Sequence, residues 1–243
     1  MNEPTTAAVH HELTGESRVH HSPDLPLAKT PRLAVFGGSF DPIHTGHLEL
    51  AQAVVDAGSA DEVLFVPARK PPHKHARELT DGNHRLAMVR LATEPHPAFS
   101  VSDIELERNE GFSYTFDTLS ALRLVFPDHE LFFLMGMDSL RDLHLWHRAG
   151  ELVQHFGFIV YPRPGCACPS QAELSDRFGA RNARKLLAAV KADLPLFAAS
   201  STAVRGACAR GQGPGPFCPE PVCRYIEAHG LYRSQAQPQP EGQ

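Results

Sequence analysis

Leu33-Ala34-Val35-Phe36-Gly37-Gly38-Ser39-Phe40-Asp41-Pro42-Ile43-His44-Thr45-Gly46-His47-Leu48 is the stretch on which the fold turns. Leu33–Phe36 is a short apolar run broken by two glycines, the pattern of a buried strand that ends in a turn. Paired glycines let the chain turn tightly and let a ligand approach the backbone where a side chain would otherwise stand. Leu48, Ala51 and Val55 then recur at helical spacing, with Gly58 as the stop. His44 and His47 sit at the entrance of that helix, three residues apart and so on one side of its first turn. The amides at a helix N-terminus already favour anions, and two imidazoles beside them read as a small cationic cradle for phosphate. The plain alternative is a tight turn with two surface histidines. The strand before it and the double glycine count against that.

Beyond this stretch, Val63–Val66 reads as the next strand. Leu86, Val89 and Ala92 mark a second helix, and Leu119, Leu122 and Phe126 a third that Pro127 ends. Leu131–Met135 and Phe158–Tyr161 read as further buried strands. Arg177–Lys191 reads as one more helix, and Ser201–Arg210 and Pro221–His229 as two short closing helices. No internal repeat is visible. Strands alternating with helices imply right-handed crossovers. The expected fold is a doubly wound, mostly parallel, Rossmann-like α/β sheet with helices on both faces and a small C-terminal helical region. Ligands of such sheets lie beyond the carboxyl ends of the strands, where the glycines and histidines fall.

Composition bounds the function. The 243 residues suit one globular domain, with 42% hydrophobic and 21% charged residues. A net charge of -5 argues against a protein that coats nucleic acid through a broad basic surface, so an anionic ligand must be met by local donors. No apolar run reaches the length of a membrane span, and the N-terminus lacks a signal-peptide core. The expectation is a cytoplasmic protein. Cys166, Cys168, Cys208, Cys218 and Cys223 form an odd set without CxxC spacing and read as reduced bystanders; a zinc site is the alternative. Residues 1–31 read as a disordered arm, with His10, His11, His20 and His21 as solvated pairs or, alternatively, metal ligands. Residues 32–233 form the expected folded domain, and 234–243 a flexible tail.

A second element lies about 160 residues downstream of the first, in Ser200-Ser201-Thr202-Ala203-Val204-Arg205. Small hydroxyl residues cap helices, and Arg205 would project one turn inside. Capping hydroxyls, open amides and a guanidinium fork make a second phosphate-binding device.

Together the two elements resemble the paired signatures of the HxGH nucleotidyltransferases. Further landmarks are similar to those of the bacterial nicotinate-nucleotide adenylyltransferases. They are Val66-Pro67 with Pro71-Pro72-His73-Lys74, then Phe112-Ser113-Tyr114-Thr115-Phe116-Asp117-Thr118-Leu119, then Gly136-Met137-Asp138-Ser139-Leu140 with Trp146. Tyr225-Ile226 and Leu231-Tyr232 close the series, so the resemblance runs from about Leu33 to Arg233. Gly211–Phe217 is richer in Gly and Pro than that family's loop, and Cys166–Gly179 matches no landmark.

The resemblance implies an enzyme that transfers the adenylyl group of ATP to nicotinate mononucleotide and releases pyrophosphate in NAD biosynthesis. His44, His47 and Arg205 take the catalytic roles, with Gly37, Gly38, Ser39, Phe40 and Gly46 lining the ATP site beside them. Ser201, Thr202 and Arg205 hold the leaving β- and γ-phosphates. Asp138 accepts from a ribose hydroxyl of the adenosine, and Gly136 allows the nucleoside close; an N-cap role for Asp138 is compatible with this. Lys74 and Ser39 bind the mononucleotide phosphate, Trp146 lies against the pyridine ring, and Tyr114 and Thr115 offer backbone amides to the ring carboxylate. Mg²⁺ rides on the ATP phosphates rather than in a carboxylate cage. Partners are then small nucleotides, not nucleic acid or membrane, with a homo-oligomer left open. The alternatives are nicotinamide mononucleotide or phosphopantetheine as acceptor, or a nucleotide-binding protein without catalysis.

Overall fold

Arg32–Gly38 forms strand β1, whose alternate side chains go to opposite faces: Leu33 and Val35 to one core, Ala34 and Phe36 to the other. A strand buried on both sides must sit in the middle of a sheet covered by helices. The computed structural model, which describes residues 30–70, 79–107, 112–196 and 199–233, shows that arrangement. Strands β1, β2 (Glu62–Pro67), β3 (Phe99–Val101), β4 (Glu130–Gly136) and β5 (Gly157–Tyr161) form one parallel sheet in the order β3-β2-β1-β4-β5. Val35 is in register with Leu64 on one side and Phe133 on the other.

One face carries helices α3 (Thr115–Val125), α4 (Met137–Asp142), α5 (Ala149–His155), α6 (Gln171–Phe178) and α7 (Ala180–Ala188). Their Phe116, Leu119, Leu140, Leu152, Leu174 and Leu186 pack on Leu33, Val35, Leu64 and Phe133. The opposite face carries α1 (Thr45–Asp56), α2 (Gly82–Thr93), α8 (Ser201–Ala209) and α9 (Glu220–Ala228). There Leu48, Val54, Met88, Val204 and Ile226 join Ala34, Phe36 and Phe65. The closing helices α8 and α9, the expected small C-terminal helical region, complete the layer begun by α1 and α2. The expected doubly wound α/β fold is present.

Two local expectations are corrected. The expected single helix at Arg177–Lys191 is two helices, because Gly179 adopts φ 80°, a left-handed conformation that a continuing helix cannot use. Upstream, α6 begins at a capping box in which the Glu173 amide donates to Ser170 Oγ and the Ser170 amide to Glu173 Oε2. Strand β3 was not expected; three residues are too few to show alternation. Helix α1, by contrast, ends as expected, with Gly58 at φ 60° and its amide donating to the Val55 carbonyl. Among the described residues no helix is long and apolar enough to cross a membrane. The expected tail, the expected arm apart from residues 30 and 31, and Pro71 through Lys74 lie outside the described residues.

Candidate active site

The sheet order reverses between β1 and β4, and a doubly wound sheet opens a crevice beyond the carboxyl ends of the strands at such a switch. A cavity of about 800 Å³ lies there, within the usual size of a small-molecule site. Gly37, Gly38, Ser39, Phe40, His44, Gly46, His47, Tyr114, Thr115, Gly136, Asp138, Trp146, Ser201, Thr202 and Arg205 all line it. Lys74 falls outside the described residues.

The floor is the turn after β1. A Cβ on Gly38 would meet the Phe40 ring at 3.0 Å, so any larger residue here would press on that ring. Phe40 itself takes φ 43°, unusual for a bulky side chain and costing roughly 1–3 kcal/mol. Its buried ring packs edge-on against Phe36 and His47 and tilted on Phe65, contacts that offset the strain. The turn aims His44 and His47 into the cavity from the start of α1. Their rings stack at 3.6 Å, and the His44 amide donates to His47 Nδ1 at 3.2 Å. A neutral imidazole that accepts at Nδ1 carries its proton on Nε2, so His47 offers an N–H donor on its outer edge.

His44 corrects the expectation of a cationic pair. Burial, with Arg163 nearby as a smaller cause, lowers its pKa to about 4, so the ring is neutral at pH 7. It is 7% exposed, and its Nδ1 is buried without a hydrogen-bond partner among the described residues. The positive character of this wall therefore comes from oriented N–H dipoles, the amides of α1 and nearby guanidinium groups, not from His44.

Helix α8 meets this turn across a sequence separation of about 160 residues. Ser200 Oγ caps it, accepting from the Ala203 amide. Ser201 Oγ donates to the Pro42 carbonyl at 2.9 Å, and Arg205 Nη1 to the Asp41 carbonyl at 2.6 Å. Arg205 Nη2 donates to Thr202 Oγ1. Two further bonds brace the same corner: Tyr232 donates its hydroxyl to Asp41 Oδ1, and the Thr45 amide donates to the Phe217 carbonyl. The N-termini of α1 and α8 are thereby locked against one cavity. From below, the buried guanidinium of Arg85 donates to the carbonyls of Ser39, Ala68 and Thr80, tying the turn to the exit of β2.

Beyond β4, Gly136 has no Cβ to collide with Asp138 Oδ1 or to lie 2.7 Å from Arg163 Nε. That space admits an ion pair between the two, Arg163 Nε to Asp138 Oδ1 at 3.2 Å. Gly136 is the N-cap of α4 and Asp138 lies in its first turn without a capping bond, so the expected N-cap role is not the one this carboxylate plays. Arg163 also donates to the Tyr161 hydroxyl. It was missed in the sequence, although its place just past the carboxyl end of β5 was the available signal.

The other end of the cavity is aromatic and amide-lined. Tyr114 is the N-cap of α3, so its amide and that of Thr115 precede the first intrahelical bond and lack helical acceptors. Tyr114 stacks on His147 at 4.3 Å, and the half-buried Trp146 sets its edge against Phe133. Glu105 and Thr118, also missed in the sequence, line this end as a buried pair.

The cytidylyltransferase-like family model matches residues 35–207. The Bacillus subtilis protein named nicotinate-nucleotide adenylyltransferase is 37% identical over 203 residues, covering 84% of this chain and 99% of that one. A Dehalococcoides mccartyi protein named "Probable nicotinate-nucleotide adenylyltransferase" is 39% identical over 206 residues, covering 84% and 98%. Among solved structures, a Plasmodium falciparum nicotinic acid mononucleotide adenylyltransferase complexed with NaAD superimposes with a TM-score of 0.63 at 19% identity. It covers 83% of this chain and 97% of that one, a likeness of fold.

Proposed function

We propose the following reaction for a chain that belongs to the cytidylyltransferase-like family and, within it, to the nicotinate-nucleotide adenylyltransferases. It transfers the adenylyl group of ATP to nicotinate mononucleotide, giving nicotinate adenine dinucleotide and pyrophosphate. The observation that carries the reading is the pair of helix N-termini, α1 with His44 and His47 and α8 with Ser201, Thr202 and Arg205, locked against one cavity.

The attacking group is a phosphate monoester whose second pKa is about 6, largely dianionic at neutral pH. One of its oxygens forms a bond to the α-phosphorus of ATP while the bond from that phosphorus to the bridging oxygen of pyrophosphate breaks. No general base or covalent intermediate is required. Catalysis consists of in-line alignment and relief of repulsion between anions. His47, through Nε2–H, and the α1 amides donate to the α-phosphate oxygens where charge develops, and His44 supports that ring by stacking. Arg205, its guanidinium already oriented by the Asp41 carbonyl, meets the leaving phosphates with Ser201, Thr202 and the α8 amides. Gly37, Gly38, Ser39, Phe40 and Gly46 shape the floor. Mg²⁺ bound to the ATP phosphates would neutralise part of their charge. Among the described residues no three His, Cys, Asp or Glu side chains gather to hold such an ion.

Asp138 accepts from an adenosine ribose hydroxyl once its pairing with Arg163 yields to the nucleotide. Trp146 stacks on the pyridine ring, Ser39 and Lys74 take the mononucleotide phosphate, and the amides of Tyr114 and Thr115 donate to the carboxylate. Nicotinamide would set an NH₂ donor against those donors, and an unmatched buried group costs about 1–3 kcal/mol. The reading includes a cytoplasmic setting and nucleotide rather than nucleic-acid or membrane partners. Its test is pyrophosphate release from ATP and Mg²⁺ with nicotinate mononucleotide, nicotinamide mononucleotide or phosphopantetheine. Release with the nicotinate form, at least roughly 10²-fold better in kcat/KM than with the amide, is expected. No release with any mononucleotide, or a preference for phosphopantetheine, overturns it.

A further inference from the structure

Glu105 lines the aromatic end of the cavity, on the segment that follows β3 and faces the first turns of α3. It is 6% exposed, and its Oε1 accepts the Thr118 hydroxyl at 2.7 Å. Oε2 is buried and has no hydrogen-bond partner among the described residues. The Arg85 guanidinium is near enough for its titration to feel this carboxyl, though burial is the larger influence on it, but its bonds go to the carbonyls of Ser39, Ala68 and Thr80. A buried carboxylate oxygen left unpaired is costly, so its retention in a cavity wall points to a donor that arrives with the ligand.

We infer that Glu105 Oε2 accepts a hydrogen bond from a ribose hydroxyl of the mononucleotide; this deepens the proposed function and rests on it. The chemistry of that substrate leaves few choices. At neutral pH its phosphate is largely dianionic and its ring carboxylate ionised, so both only accept. The pyridinium nitrogen is quaternary and carries no proton. The 2′- and 3′-hydroxyls are the donors that remain. Thr118 holds Oε1, which leaves Oε2 as the oxygen still open to a donor, on a residue that lines the cavity together with Tyr114, Thr115 and Trp146. Glu105 is then a reader of the sugar, as the α3 amides are readers of the ring substituent.

The experiment compares kcat/KM, at saturating ATP and Mg²⁺, for nicotinate mononucleotide and its 2′-deoxy and 3′-deoxy counterparts. It uses the wild-type chain, Glu105→Gln and Glu105→Ala. Wild type should disfavour one deoxy form by about tenfold or more, the usual effect of losing a bond to a charged acceptor. Glu105→Ala should bring that ratio to within about twofold of unity, with KM for ATP unchanged. Glu105→Gln keeps the volume, can still satisfy Thr118 through its NH₂ and present its carbonyl to the sugar, and should fall between. Should the alanine variant fold poorly, the glutamine variant alone decides, by a discrimination at least threefold weaker than wild type. A deoxy ratio unchanged in either folded variant, a wild type indifferent to both hydroxyls, or a change confined to nicotinate against nicotinamide overturns the inference and leaves the reaction standing. A wild type that does not adenylylate nicotinate mononucleotide overturns the reaction, and this assignment with it.

Discussion

The two ends of the cavity are built differently. The end formed by α1, α8 and the turn after β1 is braced by bonds between residues far apart in sequence: Ser201 to Pro42, Arg205 to Asp41, Tyr232 to Asp41 and Thr45 to Phe217. The end formed by α3 and the segment carrying Trp146 relies on ring contacts and on the Glu105–Thr118 pair, with Ser113 Oγ accepting from the Arg69 amide nearby. Donors that stabilise charge at the moment of reaction must not reorganise, and long-range bracing gives that rigidity. Choosing a substrate asks for complementary donors, acceptors and ring faces. In the proposed reaction, chemistry therefore belongs to the braced end and selection to the aromatic end.

The largest expected effect lies at the braced end. His47→Ala should lower kcat on the order of 10²–10³, with KM for ATP changing far less, as for loss of one preorganised donor. Steady-state kinetics checks this, and a variant with more than about half of wild-type kcat would remove His47 from the reaction.

The buried His44 adds a pH signature to the same end. Its folded pKa of about 4 lies below the unfolded 6.5, so between those values the unfolded chain binds the proton and stability falls as pH falls. At pH 5 the loss from this group is roughly 2 kcal/mol. Thermal melts of wild type and His44→Gln at pH 7 and pH 5 should show the wild type losing more on acidification by about that amount. Parallel losses would mean that His44 is not held neutral.

A smaller effect is expected where Gly136 makes room for the Asp138–Arg163 pair. Gly136→Ala should displace that pair and raise KM for ATP about five- to tenfold, leaving KM for the mononucleotide within about twofold. Equal changes in both constants would blur the division between the two ends.

The braced end was legible in the sequence because its residues lie in two compact patterns, GGSFDPIHTGH and SSTAVR, each tied to a helix start. What joins them was not: nothing local says that Arg205 reaches the Asp41 carbonyl or that Tyr232 reaches the Asp41 side chain. Arg163 and Glu105 escaped for a similar reason. A lone arginine after a strand and a carboxylate in a loop carry no local signal, and their burial and pairing are tertiary facts. Among the elements, β3 was too short to show a period, and Gly179 was read through as part of one helix although its φ of 80° breaks it in two.

Comparing Arg205→Ala with Trp146→Ala, for both substrates, tests the division of the cavity most directly. Arg205→Ala should raise KM for ATP about tenfold or more while KM for nicotinate mononucleotide stays within about twofold, and Trp146→Ala should do the reverse. If each variant weakened both substrates equally, or if the two effects were exchanged, the assignment of one substrate to each end would be wrong.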